Sequence, residues 1–191
     1  MQTRELTAEG SEVNFATNTL GTFALTRLLQ PCLERSGAGA RVITVTSGGA
    51  YTVGLVTDDL NMDTVEPFDG TVQYARDKRR QMALMEKFGE VLTPAGVGCY
   101  LMHPGWVDTA GVRTSIPAFH KTFEKQLRTL QQGADTVVWL ALAEKESLTQ
   151  GALYLDRQEQ HKHLFMAGTT YSAADVDALW NQMCVLADVQ P

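Results

Sequence analysis

Cysteine is scarce in this 191-residue chain: Cys32, Cys99 and Cys184 lie far apart and cannot all pair. They read as free thiols of a reducing compartment, packed as small apolar side chains, which leaves no disulfide framework. No Cys-x-x-Cys pair or mixed Cys/His spacing points to zinc. His161 and His163 flank Lys162 in a polar stretch and are expected in solvent, so no metal site is predicted. Positive charge is short as well. Sixteen Lys and Arg stand against 22 Asp and Glu, a net charge of −6, which argues against a nucleic-acid surface. The one basic cluster, Lys78-Arg79-Arg80, is expected to be a solvated helix edge. No run of eighteen apolar residues occurs, so no membrane span is predicted. The start, Met1-Gln2-Thr3-Arg4-Glu5, is polar and unlike a secretory signal, and the expected location is the cytoplasm.

What is present suffices for one domain over residues 1–191: 44% of residues are hydrophobic and 20% charged. Residues 7–33 pattern as a long helix, capped by Thr7, with an apolar face of Val13, Leu20, Phe23, Ala24, Leu28 and Leu29. Asn18 sits inside it, three residues before Gly21. That is locally unfavourable and invites a tertiary explanation. Residues 41–46 are β-branched and short, a strand expected to be buried on both faces, ending in Ser47-Gly48-Gly49. Residues 51–70 form a long acidic loop. A second helix spans 71–92 with a Met82, Met85, Phe88, Leu92 stripe.

Residues 97–102 make another strand, running into His103-Pro104-Gly105-Trp106-Val107-Asp108-Thr109. A mobile-looking segment, 110–128, precedes a helix over 133–143 with Val137, Val138, Leu140 and Leu142 inward. Residues 151–155 are a third strand and 156–170 a polar loop. Ser172 caps a last helix, 173–189, with Val176, Leu179, Trp180, Met183 and Leu186 against the body. Alternating strands and helices of these lengths predict an α/β fold, a parallel sheet with helices on both faces. Ligands of such sheets bind beyond the carboxyl ends of strands. Ser47 and the 103–109 turn both stand there.

The stretch Tyr74-Ala75-Arg76-Asp77-Lys78 places a phenol and an ammonium one helical turn apart. A free phenol titrates near ~10, and an adjacent ammonium lowers that value, so the pair can act as a general acid/base. The same spacing also arises by chance on ordinary helix surfaces. Asn18, Ser47, Tyr74 with Lys78, and the Pro104–Thr109 turn occur in a fixed order, and together they resemble the short-chain dehydrogenases/reductases. The interval from Ser47 to Tyr74 is longer than in most of that superfamily.

The resemblance implies a doubly wound, Rossmann-type sheet, of which this chain is the C-terminal part with its first strands missing. It implies Tyr74 as the proton donor or acceptor for a carbonyl or alcohol substrate. Lys78 would lower the Tyr74 pKa and bond the nicotinamide ribose, and Ser47 would bond the reacting oxygen. Asn18 would hold a proton-relaying water. Tyr74, Lys78, Pro104, Gly105, Val107 and Thr109 would contact NAD or NADP. The family's glycine-rich strand–turn–helix and its Asn-Asn-Ala-Gly stretch are not in this sequence. Strand 41–46 is therefore expected to be an open sheet edge. A homodimer through helices 7–33 and 71–92 is a further expectation of the resemblance.

Overall fold

The computed structural model describes residues 3–190. Its four-stranded sheet has the order β1-β2-β3-β4, from β1 (Arg41–Val45), β2 (Gly98–Met102), β3 (Leu153–Leu155) and β4 (Gln158–Gln160). The first three strands are parallel, in register Val42↔Cys99, Val45↔Met102 and Leu101↔Leu153. Alternation along β2 divides the core between two faces. Cys99 and Leu101 meet α3 (Gly70–Leu92) and α7 (Ala173–Leu186), while Tyr100 and Met102 meet Leu140 of α6 (Leu130–Leu142). The α3 stripe of Met82, Met85, Phe88 and Leu92 is buried as its spacing predicts. Phe23 of α2 (Gly21–Ser36), Phe88 and Trp180 stack with ring centroids 4.8–5.5 Å apart. Burial of each such side chain stabilises the fold by roughly 1.5–3 kcal/mol.

The first helix departs from its sequence reading at its start and in its middle. Thr7 does not cap it; residues 7–11 turn back on themselves, with the Thr7 amide donating to the Ser11 carbonyl. Glu12 is the cap, its carboxylate accepting from the amides of Asn14 and Phe15 at 3.0 and 2.9 Å. After α1 (Val13–Phe15) the chain makes a π turn over Ala16–Leu20, closed by the Gly21 amide on the Ala16 carbonyl, and only then continues as α2. The π turn holds Asn18. Phe23 is buried, but Leu28 and Leu29 of the expected apolar face are exposed.

Other expectations also need correction. Strand β1 is not buried on both faces: its residues are only half-buried, and Val45 at its end is 43% exposed; among the described residues it pairs only with β2. Val138, Leu142 and Leu186 face outward rather than inward. Cys32 is exposed, unlike Cys99 and Cys184. The predicted polar loop after β3 hides a two-residue hairpin. Asp156 and Arg157 both adopt positive φ, 52° and 60°, and β4 returns antiparallel with Leu155 opposite Gln158. That turn usually announces itself by Asn-Gly or Asp-Gly, and here it does not. The segment 110–128 contains α4 (Ala110–Ser115) and α5 (Pro117–Phe123).

The largest correction is Lys78-Arg79-Arg80, which is buried rather than solvated. The loops that follow Ser47 and β4 fold over α3 and offer it carbonyl oxygens. Arg80 donates to the carbonyls of Val56 and Asp59 and pairs with Asp77 at 3.0 Å. Arg79 donates to the carbonyls of Lys162 and Thr169, and His163 is half-buried beside it. A buried guanidinium is tolerable only when so many acceptors surround it.

Candidate active site

β1 and β2 end side by side, with the Thr46 amide donating to the Met102 carbonyl at 2.8 Å. This brings Ser47 and His103 to adjacent strand ends. Ser47 caps a short 3-10 turn, its Oγ accepting from the Gly49 amide at 3.2 Å. The same hydroxyl lies close enough to the Tyr74 phenol to favour its ionised form. Tyr74 is 37% exposed and can be reached from solvent.

Lys78 lies beneath the phenol ring, its Nζ 5.4 Å from the ring centroid. Its ammonium donates to the Val45 carbonyl at 3.0 Å and to Gln81 Oε1 at 3.1 Å. Burial pulls Lys78 down to about 8, against the opposing pull of Asp77. The Tyr74 phenol does not behave as the sequence suggests. Burial pushes its pKa up, the Ser47 hydrogen bond lowers it and the Asp77 carboxylate raises it. Burial of the phenol outweighs the groups that would acidify it.

Asn18 enters the network through its backbone. In the π turn its carbonyl accepts from Gln81 Nε2 and from the Thr22 hydroxyl, each at 2.6 Å, while its side chain donates to the Asn14 carbonyl at 3.0 Å. Gln81 therefore stands between Lys78 and Asn18, where the resemblance implies a water. Sequence reasoning missed Gln81, although Tyr74, Lys78 and Gln81 at i, i+4 and i+7 mark one helical face. Thr46 was missed too; its hydroxyl donates to the Lys78 carbonyl at 2.9 Å and ties β1 to α3.

The second strand end carries the remaining candidates. His103 Nδ1 accepts from the Gly105 amide at 3.1 Å, which leaves the ring proton on Nε2. Its ring lies so close to Gly48 that a Cβ there would stand 3.2 Å from Nε2. Burial, with Arg128 nearby, lowers the His103 pKa. Gly105 has φ 76°, and a Cβ on it would run into the Arg128 guanidinium at 2.5 Å. Pro104 offers its carbonyl to Arg128 at 3.4 Å. Val107 is buried against Gly133 and bridges in parallel to Arg128. That bridge uses the Asp108 amide and the Trp106 carbonyl, not the N–H or C=O of Val107. Thr109 caps α4, its hydroxyl accepting from the Val112 amide. Asp108 receives Arg113 and His120, and those bonds hold it down at about 2. Trp106, Phe119 and Phe123 stack at 4.8–5.1 Å beside the turn.

The donor set fits the nicotinamide–ribose end of a dinucleotide. A Lys78 ammonium has three donors and makes two bonds among the described residues, leaving one for a ribose hydroxyl. The N–H and C=O of Val107, which make no bond among the described residues, match a carboxamide. No cluster of three or more His, Cys, Asp or Glu among the described residues could hold a metal ion.

Around this sheet, with Ser47, Tyr74 and Lys78 near its strand ends, 92% of the chain is similar in sequence to short-chain dehydrogenases/reductases. More particularly, it is similar to dehydrogenase/reductase SDR family member 12. It is 46% identical over 177 residues to that protein of Bos taurus and 45% identical to that of Homo sapiens, over 92% of this chain in each case. The chain spans 55% of the length of these curated relatives. Among solved structures, an uncharacterized protein from Mycobacterium paratuberculosis shares the fold, with a TM-score of 0.72 over 98% of this chain and 63% of its own, at 23% identity. No family model matches the chain.

Proposed function

We propose that this chain supplies the proton-transfer site of an NAD(P)-dependent oxidoreductase acting on a carbonyl or alcohol. The observation that carries the reading is the Lys78 ammonium 5.4 Å from the centre of the Tyr74 ring, with Ser47 at the neighbouring strand end acting on the same phenol. The bound nicotinamide supplies or accepts the hydride. Tyr74 gives a proton to the carbonyl oxygen in reduction and takes it back in oxidation. Its raised pKa keeps the phenol protonated at neutral pH, which suits the reductive direction. Ser47 donates a hydrogen bond to the same oxygen as negative charge develops there. Lys78, protonated at neutral pH with a pKa of about 8, reprotonates the phenol and holds the ribose. Gln81 and the Asn18 carbonyl fix the ammonium in place. Val107 would hold the carboxamide through its backbone, with the Pro104-Gly105 turn and Thr109 alongside.

The test is Tyr74→Phe in a protein that also carries the nucleotide-binding strands. Turnover should fall by about 10²–10⁴, the usual range for losing a general acid, with the melting temperature unchanged. Wild-type turnover in that variant would reject the assignment. A second reading has this chain act by association rather than catalysis. It draws on β1, whose far edge pairs with no strand among the described residues. Titration of the 191-residue chain with NADH and NADPH separates the two; tight protection by either favours a working site. A cytoplasmic setting and a homodimer go with the first reading. For the latter, α2 presents exposed Leu25, Leu28 and Leu29, whereas α3 spends most of its surface inside the chain.

A further inference from the structure

The loop joining β4 to α7 carries three successive large apolar residues at its tip. Phe165 is 96% exposed, Met166 89% and Leu164 46%. The tip is a tight turn, with the Ala167 amide donating to the Leu164 carbonyl at 3.2 Å and Met166 at φ 61°. Turn chemistry favours Gly, Asn or Asp at such a position, so neither local geometry nor core packing accounts for methionine there.

The base of the loop is fixed. Arg79 donates to the carbonyls of Lys162 and Thr169, the Leu164 amide donates to the buried Thr169 hydroxyl at 3.0 Å, and Tyr51 donates to the His161 carbonyl. Gly54 packs so closely on this loop that a Cβ would stand 3.0 Å from the Gly168 carbonyl. A tip held at both ends cannot fold its side chains back into the core.

We propose that Leu164, Phe165 and Met166 form a membrane-contacting tip that inserts into the apolar boundary of a lipid surface. Two observations select this occupant. First, the tip is convex and small. At ~150–200 Å² per fully exposed large side chain it exposes about 400 Å², below the roughly 800 Å² per partner of a stable protein interface. A bilayer boundary accepts an apolar insertion ~5–10 Å deep without a matching shape. Second, residues 160–171 contain no Asp or Glu in a chain whose net charge is −6. The tip thus enters a headgroup layer without a carboxylate to desolvate or repel. Lys162 is already paired with Glu86 at 2.5 Å, so apolar insertion rather than coulombic attraction drives the contact. No helix among the described residues is long and apolar enough to cross a membrane, so the contact is peripheral.

Cosedimentation of the 191-residue chain with vesicles tests this, using phosphatidylcholine alone and phosphatidylcholine with phosphatidylserine. The wild-type chain should partition onto both. The Phe165→Ser/Met166→Ser double variant, altered only at exposed positions, should bind at least tenfold more weakly with an unchanged melt. Phe165→Trp, which keeps the apolar area, should show an emission blue shift when either vesicle is added. The proposal is overturned by wild-type protein that stays in the supernatant, or by a double variant that binds as wild type does. It is equally overturned if vesicles leave the emission of the Phe165→Trp variant unchanged. Self-association that the double variant abolishes, seen by analytical ultracentrifugation without vesicle binding, would overturn it by assigning the tip to a second copy instead.

Discussion

Asp77 should make the fold less stable as neutral pH is approached from below. It is fully buried; one oxygen accepts from Thr19 and Arg80 at 2.9 and 3.0 Å, and the other has no partner among the described residues. Burial raises its pKa from 3.8 to about 6, with the Glu12 carboxylate adding to the rise and Arg80 and Thr19 opposing it. At ~1.36 kcal/mol per unit the whole shift corresponds to roughly 3 kcal/mol. The folded chain holds this proton more tightly than the unfolded chain does. The contribution is therefore complete below the unfolded pKa and is lost as pH rises through about 6.

Between pH ~4.5 and ~7.5 the loss should be about 2 kcal/mol, because at the lower pH the unfolded carboxyl is already ionised. Asp59, Asp135, Asp156 and Asp175, whose pKa values are lowered, act oppositely but below this window. His103, also lowered, acts oppositely within it. Subtracting the urea-unfolding free energy of Asp77→Asn from that of wild type, at half-unit pH steps, removes these shared contributions. Carbon-detected NMR of the Asp77 carboxyl gives an independent midpoint. A flat difference curve together with a midpoint near ~4, the ordinary carboxylate value, would refute the reasoning.

Lys78 predicts the mirror image on the alkaline side. Its folded pKa of about 8 lies below the ordinary 10.5, so its contribution is present above 10.5 and lost as pH falls through 8. The difference in urea-unfolding free energy, wild type minus Lys78→Met, should rise between pH ~8 and ~10, the subtraction removing the opposite contributions of Cys99 and Cys184, whose pKa values are raised. Gly105→Ala combines a left-handed φ with a Cβ 2.5 Å from Arg128, and calorimetry should show a loss of ~1–3 kcal/mol. Phe23→Ala opens a cavity against Phe88 and Trp180, and chemical denaturation should report ~3–5 kcal/mol. Arg79→Met strips the Lys162 and Thr169 carbonyls of their donor, and limited proteolysis should cut first within residues 161–171.

The alternation of elements, the α3 stripe and the strand-end position of Ser47 were legible because they follow from period and local chemistry alone. The same is true of the Tyr74–Lys78 face. What escaped notice depends on groups that sequence patterns do not display. Arg79 and Arg80 look solvent-seeking until the loops that solvate them with carbonyls are folded in place. Gln81 looks like any polar helix residue until Lys78 and the Asn18 carbonyl stand on either side of it. The hairpin at Asp156-Arg157 lacks the residues that normally mark its turn, so β4 reads as loop. The raised Tyr74 pKa escaped because spacing gives the proximity of an ammonium but not the burial of the phenol.

The π turn at Ala16–Leu20 acts as a register key between two stretches of helix. An α-helix advances each residue by about 100°, so removing one residue from this turn would regularise the helix and swing everything on one side of it by that angle. Either Phe23 would leave its aromatic partners, or Glu12 and Phe15 would leave theirs. A helix made more regular by such a deletion would thereby lose its fit to α3, and any engineered version of this scaffold has to keep the irregular turn.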